Sequence, residues 1–175
     1  MKNKIILVGD GGVGKTSIAI RYIADRFTEE YDPTIEESFH KNVETDKGDL
    51  KLEILDTAGQ DDFSAIRQEY YRKADCVVGV FAINDLQTFN KLKEFWREIK
   101  EERYHDNMHI PPMIVAGNKM DLNPDFYNDN VDKWLDENKL EIMYTSAKVD
   151  QHIEDIFNKT IELSSCRVFV LKTSR

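Results

Sequence analysis

Cysteine is scarce. Two thiols in 175 residues, Cys76 and Cys166, are too few for a disulfide framework. Cys76 opens the apolar run Cys76-Val77-Val78-Gly79-Val80-Phe81-Ala82-Ile83 and reads as a reduced core thiol, while Cys166, near the end of the last expected helix, reads as a buried or idle one. No apolar stretch approaches the roughly 18 to 20 residues that a membrane helix needs, and Lys2 to Gly9 is too short and too early for a signal peptide. A positive charge excess is also missing. Lys and Arg number 24 against 33 Asp and Glu, for a formal net charge of −9. That balance opposes polyanions over most of the surface and argues against nucleic acid or anionic lipid as a partner of the globule. Any phosphate site must then be locally cationic. There is no internal repeat and no low-complexity tract. With 41% hydrophobic and 33% charged residues, the length suits one domain with a full core, expected as a monomer in the cytoplasm.

Glycine is rare as well, yet four of the eight fall between positions 9 and 14. The stretch Gly9-Asp10-Gly11-Gly12-Val13-Gly14-Lys15-Thr16 separates the apolar run Ile5-Ile6-Leu7-Val8 from a helix-like segment that starts near Lys15. Gly9 and Gly14 allow backbone angles that a Cβ disfavours, so successive N–H groups can point inward around an anion. Lys15 adds a point charge, the positive end of the helix dipole faces the same spot, and the Thr16 hydroxyl is placed for Mg²⁺. Gly9, Gly11 and Gly14 also satisfy G-x-G-x-x-G. A dinucleotide fold, however, needs a second strand ending in an acidic residue about 20 positions on, and no apolar run precedes Glu29 and Glu30. Lys15 and Thr16 have a role only in the phosphate-loop reading.

Strand and helix patterns alternate along the rest of the chain. Lys2 to Val8 reads as a buried strand, and Lys15 to about Arg26 as a helix with Ile18, Tyr22 and Ile23 inward. Phe27 to Glu37 has no clean period and contains Pro33, so an exposed loop is expected. Ser38 to Thr45 and Leu50 to Leu55 flank the turn signal Asp46-Lys47-Gly48-Asp49, a β-hairpin whose Leu50, Leu52 and Ile54 share a face. A polar helix from about Phe63 to Lys73 precedes the Cys76 strand, apolar on both faces as a central parallel strand is. Asn84 or Asp85 caps a helix to about Arg103, with Phe89, Leu92, Phe95, Trp96 and Ile99 as its inner stripe. Met113 to Gly117 is a buried strand, Val131, Trp134 and Leu135 mark a short helix, and Glu141 to Thr145 is the last strand. A helix from about Gln151 buries Ile153, Ile156, Phe157, Thr160 and Ile161. The expected fold is α/β: a six-stranded, mainly parallel sheet with one antiparallel edge strand and helices on both faces. Its site should lie beyond the carboxyl ends of the strands.

Four loops carry polar signatures that make sense together. Asp121 can accept two hydrogen bonds from the N1–H and 2-amino edge of guanine, an edge adenine lacks, and a site built for such donors strongly rejects a base without them. Asn118 and Lys119 would brace the loop and cover the base, and the Ala147 N–H would meet the guanine oxygen. Asp56 ends a strand as a Mg²⁺-side acid holding the ion through water, and Gly59 can donate its N–H to a γ-phosphate. Thr34 would give Mg²⁺ a second hydroxyl, and Gln60 would orient an attacking water.

With these residues assembled, the chain resembles a Ras-family small GTPase, a P-loop NTPase G domain, along nearly its whole length. The matching stretches are Gly9 to Thr16, Tyr31-Asp32-Pro33-Thr34-Ile35-Glu36, Asp56 to Gln60, Asn118 to Asp121 and Ser146 to Lys148. The resemblance implies GTP/GDP and Mg²⁺ as ligands. It implies nucleotide contacts from Gly11, Gly12, Val13, Gly14, Lys15, Thr16, Ser17, Phe27, Tyr31, Thr34, Gly59, Asn118, Lys119, Asp121, Ser146, Ala147 and Lys148. Metal binding falls to Thr16, Thr34 and Asp56, and catalysis to Gln60, Lys15 and Gly59. Tyr31 to Phe39 would be the first switch and effector loop, and Asp56 to about Arg67 the second. Exchange factors, GTPase-activating proteins and effector domains would read these segments. No residue is an obvious arginine finger, so unaided turnover should be slow.

Departures from the family pattern carry information too. Glu37 stands where Ras and its nearest relatives usually have Asp, which keeps the charge but shifts its reach toward an effector. Gln60 argues against the Rap branch, which usually has Thr there. Gly11 and Gly12 leave room for a partner's inserted side chain. Lys172-Thr173-Ser174-Arg175 contains no prenylation cysteine and no polybasic cluster. Attachment to the inner face of the plasma membrane is therefore expected only if a lipidated tail belongs to the full-length protein. Two other readings remain at this point: a GTP-bound scaffold that scarcely hydrolyses and displays Ile35 to Phe39 for β-addition, and a metabolic P-loop kinase, for which no substrate lid is visible.

Overall fold

A computed structural model describes residues 2–29, 36–46, 48–57 and 64–172 of the chain. Tyr31, Thr34, Gly59 and Gln60 lie outside the described residues, as do all of Tyr31 to Ile35 and Ala58 to Phe63. Chain order is β1 (Lys2–Val8), α1 (Lys15–Ala24), β2 (Glu36–Thr45), β3 (Gly48–Thr57), α2 (Ser64–Lys73), β4 (Cys76–Ala82), α3 (Leu86–His105), β5 (Met113–Asn118), α4 (Asp129–Asn138), β6 (Glu141–Tyr144) and α5 (Ile153–Lys172). A 3-10 turn, Met120–Leu122, follows β5.

The strands form one six-stranded sheet in the order β2-β3-β1-β4-β5-β6. Only the β2–β3 pair is antiparallel, so the sheet is mainly parallel with one antiparallel edge strand, as expected. Every residue of β4 and β5 is buried, which is why both read as unbroken apolar runs. Alternate strand residues point to opposite faces, and each face has its own core. Ile5, Leu7, Ile54, Val78 and Val80 pack with Ile18 and Tyr22 of α1 and Ile156 and Phe157 of α5. Ile6, Val8, Val77, Phe81 and Val115 pack on the other side, with Tyr71 of α2, Phe89, Leu92, Phe95 and Ile99 of α3, and Val131 and Leu135 of α4. Among the described residues no helix is long and apolar enough to cross a membrane.

Element ends depart from the sequence reading for local reasons. Helix α1 stops at Ala24 because Asp25 turns left-handed, φ 50°, and returns its N–H to Arg21 O. Strand β2 begins at Glu36, inside the expected loop, because β3 runs on to Thr57 and supplies partners: Glu36 pairs Thr57 and Glu37 pairs Asp56. Helix α5 begins at Ile153 because Ser146 and Gln151 first bridge the loop with two backbone hydrogen bonds. Asp85 caps α3, accepting from Gln87 N at 3.0 Å. Cys76 is buried, its Sγ donating to Pro112 O at 3.1 Å. The side chain of Cys166 lies outside the described residues.

Candidate functional site

Strand β1 sits near the middle of the sheet, with β3 and β4 on either side, so the loop leaving its carboxyl end opens at the place where strand order reverses. That loop is the glycine-rich stretch. Gly14 has φ 99°, and a Cβ there would stand 2.4 Å from Asn118 Nδ2. At Gly12, φ 76°, a Cβ would have no neighbour within 4 Å among the described residues. Gly14 occupies the N-cap of α1 and offers no side-chain acceptor, whereas Asp85 and Asn128 cap α3 and α4. The N-cap residue of α1 thus gives the first turn no side-chain cap, which leaves this helix end suited to an anion.

Lys15 arches back over the loop, its Nζ donating to Gly9 O at 2.9 Å and Asp10 O at 2.8 Å. Those two carbonyls hold the ammonium at the mouth of the cradle rather than letting it swing into solvent. Burial pushes its pKa down to about 8, against the opposing pull of the Asp56 and Asp10 carboxylates. Thr16 Oγ1 donates to Asp56 Oδ2. Asp56 is fully buried, and its Oδ1 has no hydrogen-bond partner among the described residues. Burial raises the Asp56 pKa to about 6, with the Thr16 bond and Lys15 opposing and Glu37 adding to the rise. An orphaned buried carboxylate oxygen beside a threonine hydroxyl is a donor set that a hard cation satisfies. Among the described residues no three His, Cys, Asp or Glu side chains cluster to hold a metal ion.

The second half of the site is knotted around Asn118, at the end of β5 and 3% exposed. Its Nδ2 donates to Val13 O at 2.9 Å, while its Oδ1 accepts from Thr145 Oγ1 at 3.2 Å and Ala147 N at 3.4 Å. One amide thus staples the phosphate loop to the loop after β6. Lys119, φ 69°, turns the chain into the 3-10 turn that carries Asp121. Ser146 Oγ donates to Asp121 Oδ1, and Met120 N donates to Thr145 O at 3.1 Å, which joins the two loops again. Asp121 is half-buried, Ser146 and Ala147 are buried, and Lys148 is exposed with its Nζ 2.8 Å from Glu29 Oε1. That ion pair raises the Lys148 pKa and lowers that of Glu29. Phe27 is half-buried and packs against the α1/α5 core.

Lys15, Thr16 and Asp56 therefore meet at one end of α1, and Asn118, Asp121, Ser146, Ala147 and Lys148 meet beside it. Three participants had no signal in the sequence. Thr145 fixes the Asn118 amide. Glu29 pairs Lys148. Arg21 reaches the carbonyls of Ala147 and Lys148 from α1. Each contact joins positions 27 or more apart, so no local pattern announces it.

Known proteins agree with this architecture. The Ras family model matches residues 4–165. The Ras-like protein 2 of Drosophila melanogaster is 37% identical over 162 residues, covering 91% of this chain and 83% of that protein. A match of that extent, on a six-stranded sheet whose β1–α1 loop is a glycine cradle, leaves one conclusion. This chain belongs to the Ras family of small GTPases, a guanine-nucleotide-binding GTP hydrolase that works as a signalling switch.

Proposed function

We propose that the chain binds GTP with Mg²⁺ in the cradle described above and presents a GTP-dependent surface to effector domains through Tyr31 to Phe39 and Asp56 to Arg67. Lys15 and the amides of Gly11 to Ser17 hold the phosphates, and Asp121, Asn118, Lys119, Ser146, Ala147 and Lys148 hold the base, with Phe27 against it. Thr16, Thr34 and Asp56 would hold Mg²⁺, which supplies neutralisation of charge on the β- and γ-phosphate oxygens when bound. Gln60 orients the attacking water, and the Gly59 N–H and Lys15 stabilise charge on the phosphoryl oxygens. Tyr31 and Thr34 belong to the segment that relaxes when the γ-phosphate leaves.

One observation carries the switching part of this reading. Asp56, with its orphaned oxygen, stands directly opposite Glu37 in the β2–β3 register. Strand β2, which carries the end of the first switch, therefore pairs its backbone with that of the residue at the metal position, and this pairing supports coupling between the two. Strand β2 also ends the strand order, the position at which a partner's strand could add to the sheet. Turnover without an activating protein should be slow, since the sequence carries no obvious arginine finger. The reading extends to a single domain that acts in the cytoplasm.

The test is to strip the purified protein of nucleotide and identify what it carried, then titrate wild type and Asp121→Asn with guanine and xanthine nucleotides. GDP or GTP is expected on the wild type, with preference moving toward xanthine in the variant, whose side-chain amide can donate to the 2-oxo group. Recovery of an adenine nucleotide, or an unchanged base preference, overturns the base assignment. Effector dependence is checked by pulling candidate domains with GDP-loaded and GTP-analogue-loaded protein.

A further inference from the structure

Helix α1 starts in the phosphate loop and ends beside the loop after β6, and Arg21 ties its last turn to that second loop. Arg21 Nε donates to Ala147 O at 2.9 Å, and one terminal nitrogen donates to Lys148 O at 3.1 Å. The other terminal nitrogen faces Asp25, at 3.1 Å from its carboxylate and 3.3 Å from its carbonyl. Only 14% of the side chain is exposed. Planar and forked, the guanidinium holds the two loop carbonyls through Nε and one terminal nitrogen while its other terminal nitrogen engages Asp25, a three-way arrangement in one plane that a tetrahedral ammonium does not reproduce. Two successive peptide planes are thereby fixed, and the Ala147–Lys148 segment is held from the α1 side. The flanking Ser146–Gln151 bridge and the Asn118 Oδ1 contact hold it from the other side.

We propose that Arg21 is a positioning residue for the base: it sets the orientation in which Ala147 presents its N–H to the 6-oxo group of guanine. This rests on the reading that Ala147 meets that oxygen. The bland alternative is that Arg21 merely complements the dipole at the end of α1 and pairs with Asp25. Charge alone would serve that purpose, so lysine would replace it. Holding both loop carbonyls and Asp25 at once requires the planar fork.

The two accounts separate with GDP and 6-thio-GDP, which differ only at the atom facing Ala147 and share the N1–H and 2-amino edge that Asp121 reads. Dissociation constants are measured for wild type, Arg21→Lys, Arg21→Ala and Asp25→Asn, with urea unfolding of each as the fold control. Wild type should favour GDP over the thio analogue. Arg21→Lys should lose about tenfold for GDP and little for the analogue, so that the preference collapses. Arg21→Ala should do the same, and Asp25→Asn, which leaves both loop bonds intact, should keep the wild-type ratio. Equal weakening of both nucleotides in Arg21→Lys, or no weakening, overturns the proposal while leaving the Ala147 assignment standing. A wild type indifferent to the sulfur overturns both, and the Asp121→Asn experiment then shows whether the rest of the base site survives.

Discussion

Gly14 and Asn118 lie 104 positions apart in the chain and touch in the fold, and replacing either tests how the two halves of the site are joined. Gly12→Ala and Gly14→Ala impose related backbone strain, since both positions have φ well above zero, 76° and 99°. An L-residue in the left-handed region costs roughly 1–2 kcal/mol. At Gly12 the new methyl meets nothing within 4 Å among the described residues, so no contact adds to that cost. At Gly14 it falls 2.4 Å from Asn118 Nδ2, so the amide must swing away and its 2.9 Å bond to Val13 O is lost. A buried bond of this kind contributes about 1 kcal/mol net, and more if its partners stay unsatisfied. Gly14→Ala should therefore cost about 3 kcal/mol, against about 1.5 kcal/mol for Gly12→Ala. Urea unfolding at several GDP concentrations separates the fold contribution from the loss of bound nucleotide, because only the latter depends on ligand concentration. Adding Asn118→Ala to Gly14→Ala should cost about 1 kcal/mol less than Asn118→Ala alone, because the staple is already broken and the smaller side chain makes room. Equal costs at the two glycines, or strict additivity in the double variant, would refute the staple.

The Lys148–Glu29 pair is exposed on both sides, 51% and 76%, so Glu29→Gln should speed GDP release by less than about threefold and lose that effect in 0.5 M salt; a change that persists in salt would refute the electrostatic account. Asn128 caps α4 by accepting from Asn130 N and Val131 N at 3.0 and 3.2 Å, so Asn128→Ala should cost about 1 kcal/mol in urea and leave GDP affinity unchanged. Tyr22 stacks on Phe157 at 3.9 Å, and burial, with the Glu154 carboxylate, raises its pKa to about 12. The folded state thus holds the phenolic proton more tightly than the unfolded chain, and this contribution is intact below pH 10 and lost as pH rises toward 12. Tyr22→Phe should flatten the alkaline limb of the stability profile across that window, and an unchanged slope by thermal unfolding would count against it.

Local demands of the backbone and the period of apolar residues were enough to read several elements from the chain alone. The β1–α1 unit with its glycine cradle, the hairpin around Asp46 to Asp49 and the inner stripe of α3 are of this kind, because each rests on residues that are near neighbours in the chain. Strand alternation then supplied the sheet, since apolar runs separated by helices pair in parallel. Helix and strand ends escaped this reading. Asp25 turns left-handed, and Glu36 and Glu37 join a strand only because β3 is there to pair with them. The burial that lifts the Asp56 pKa, the Asn118 staple, the Thr145 brace and the Arg21 fork also waited for the tertiary structure. Each depends on which loops the strand order brings to one end of the sheet. A hydrogen bond from Arg21 to Ala147 spans 126 positions and leaves no periodicity behind, so only the folded chain can disclose it.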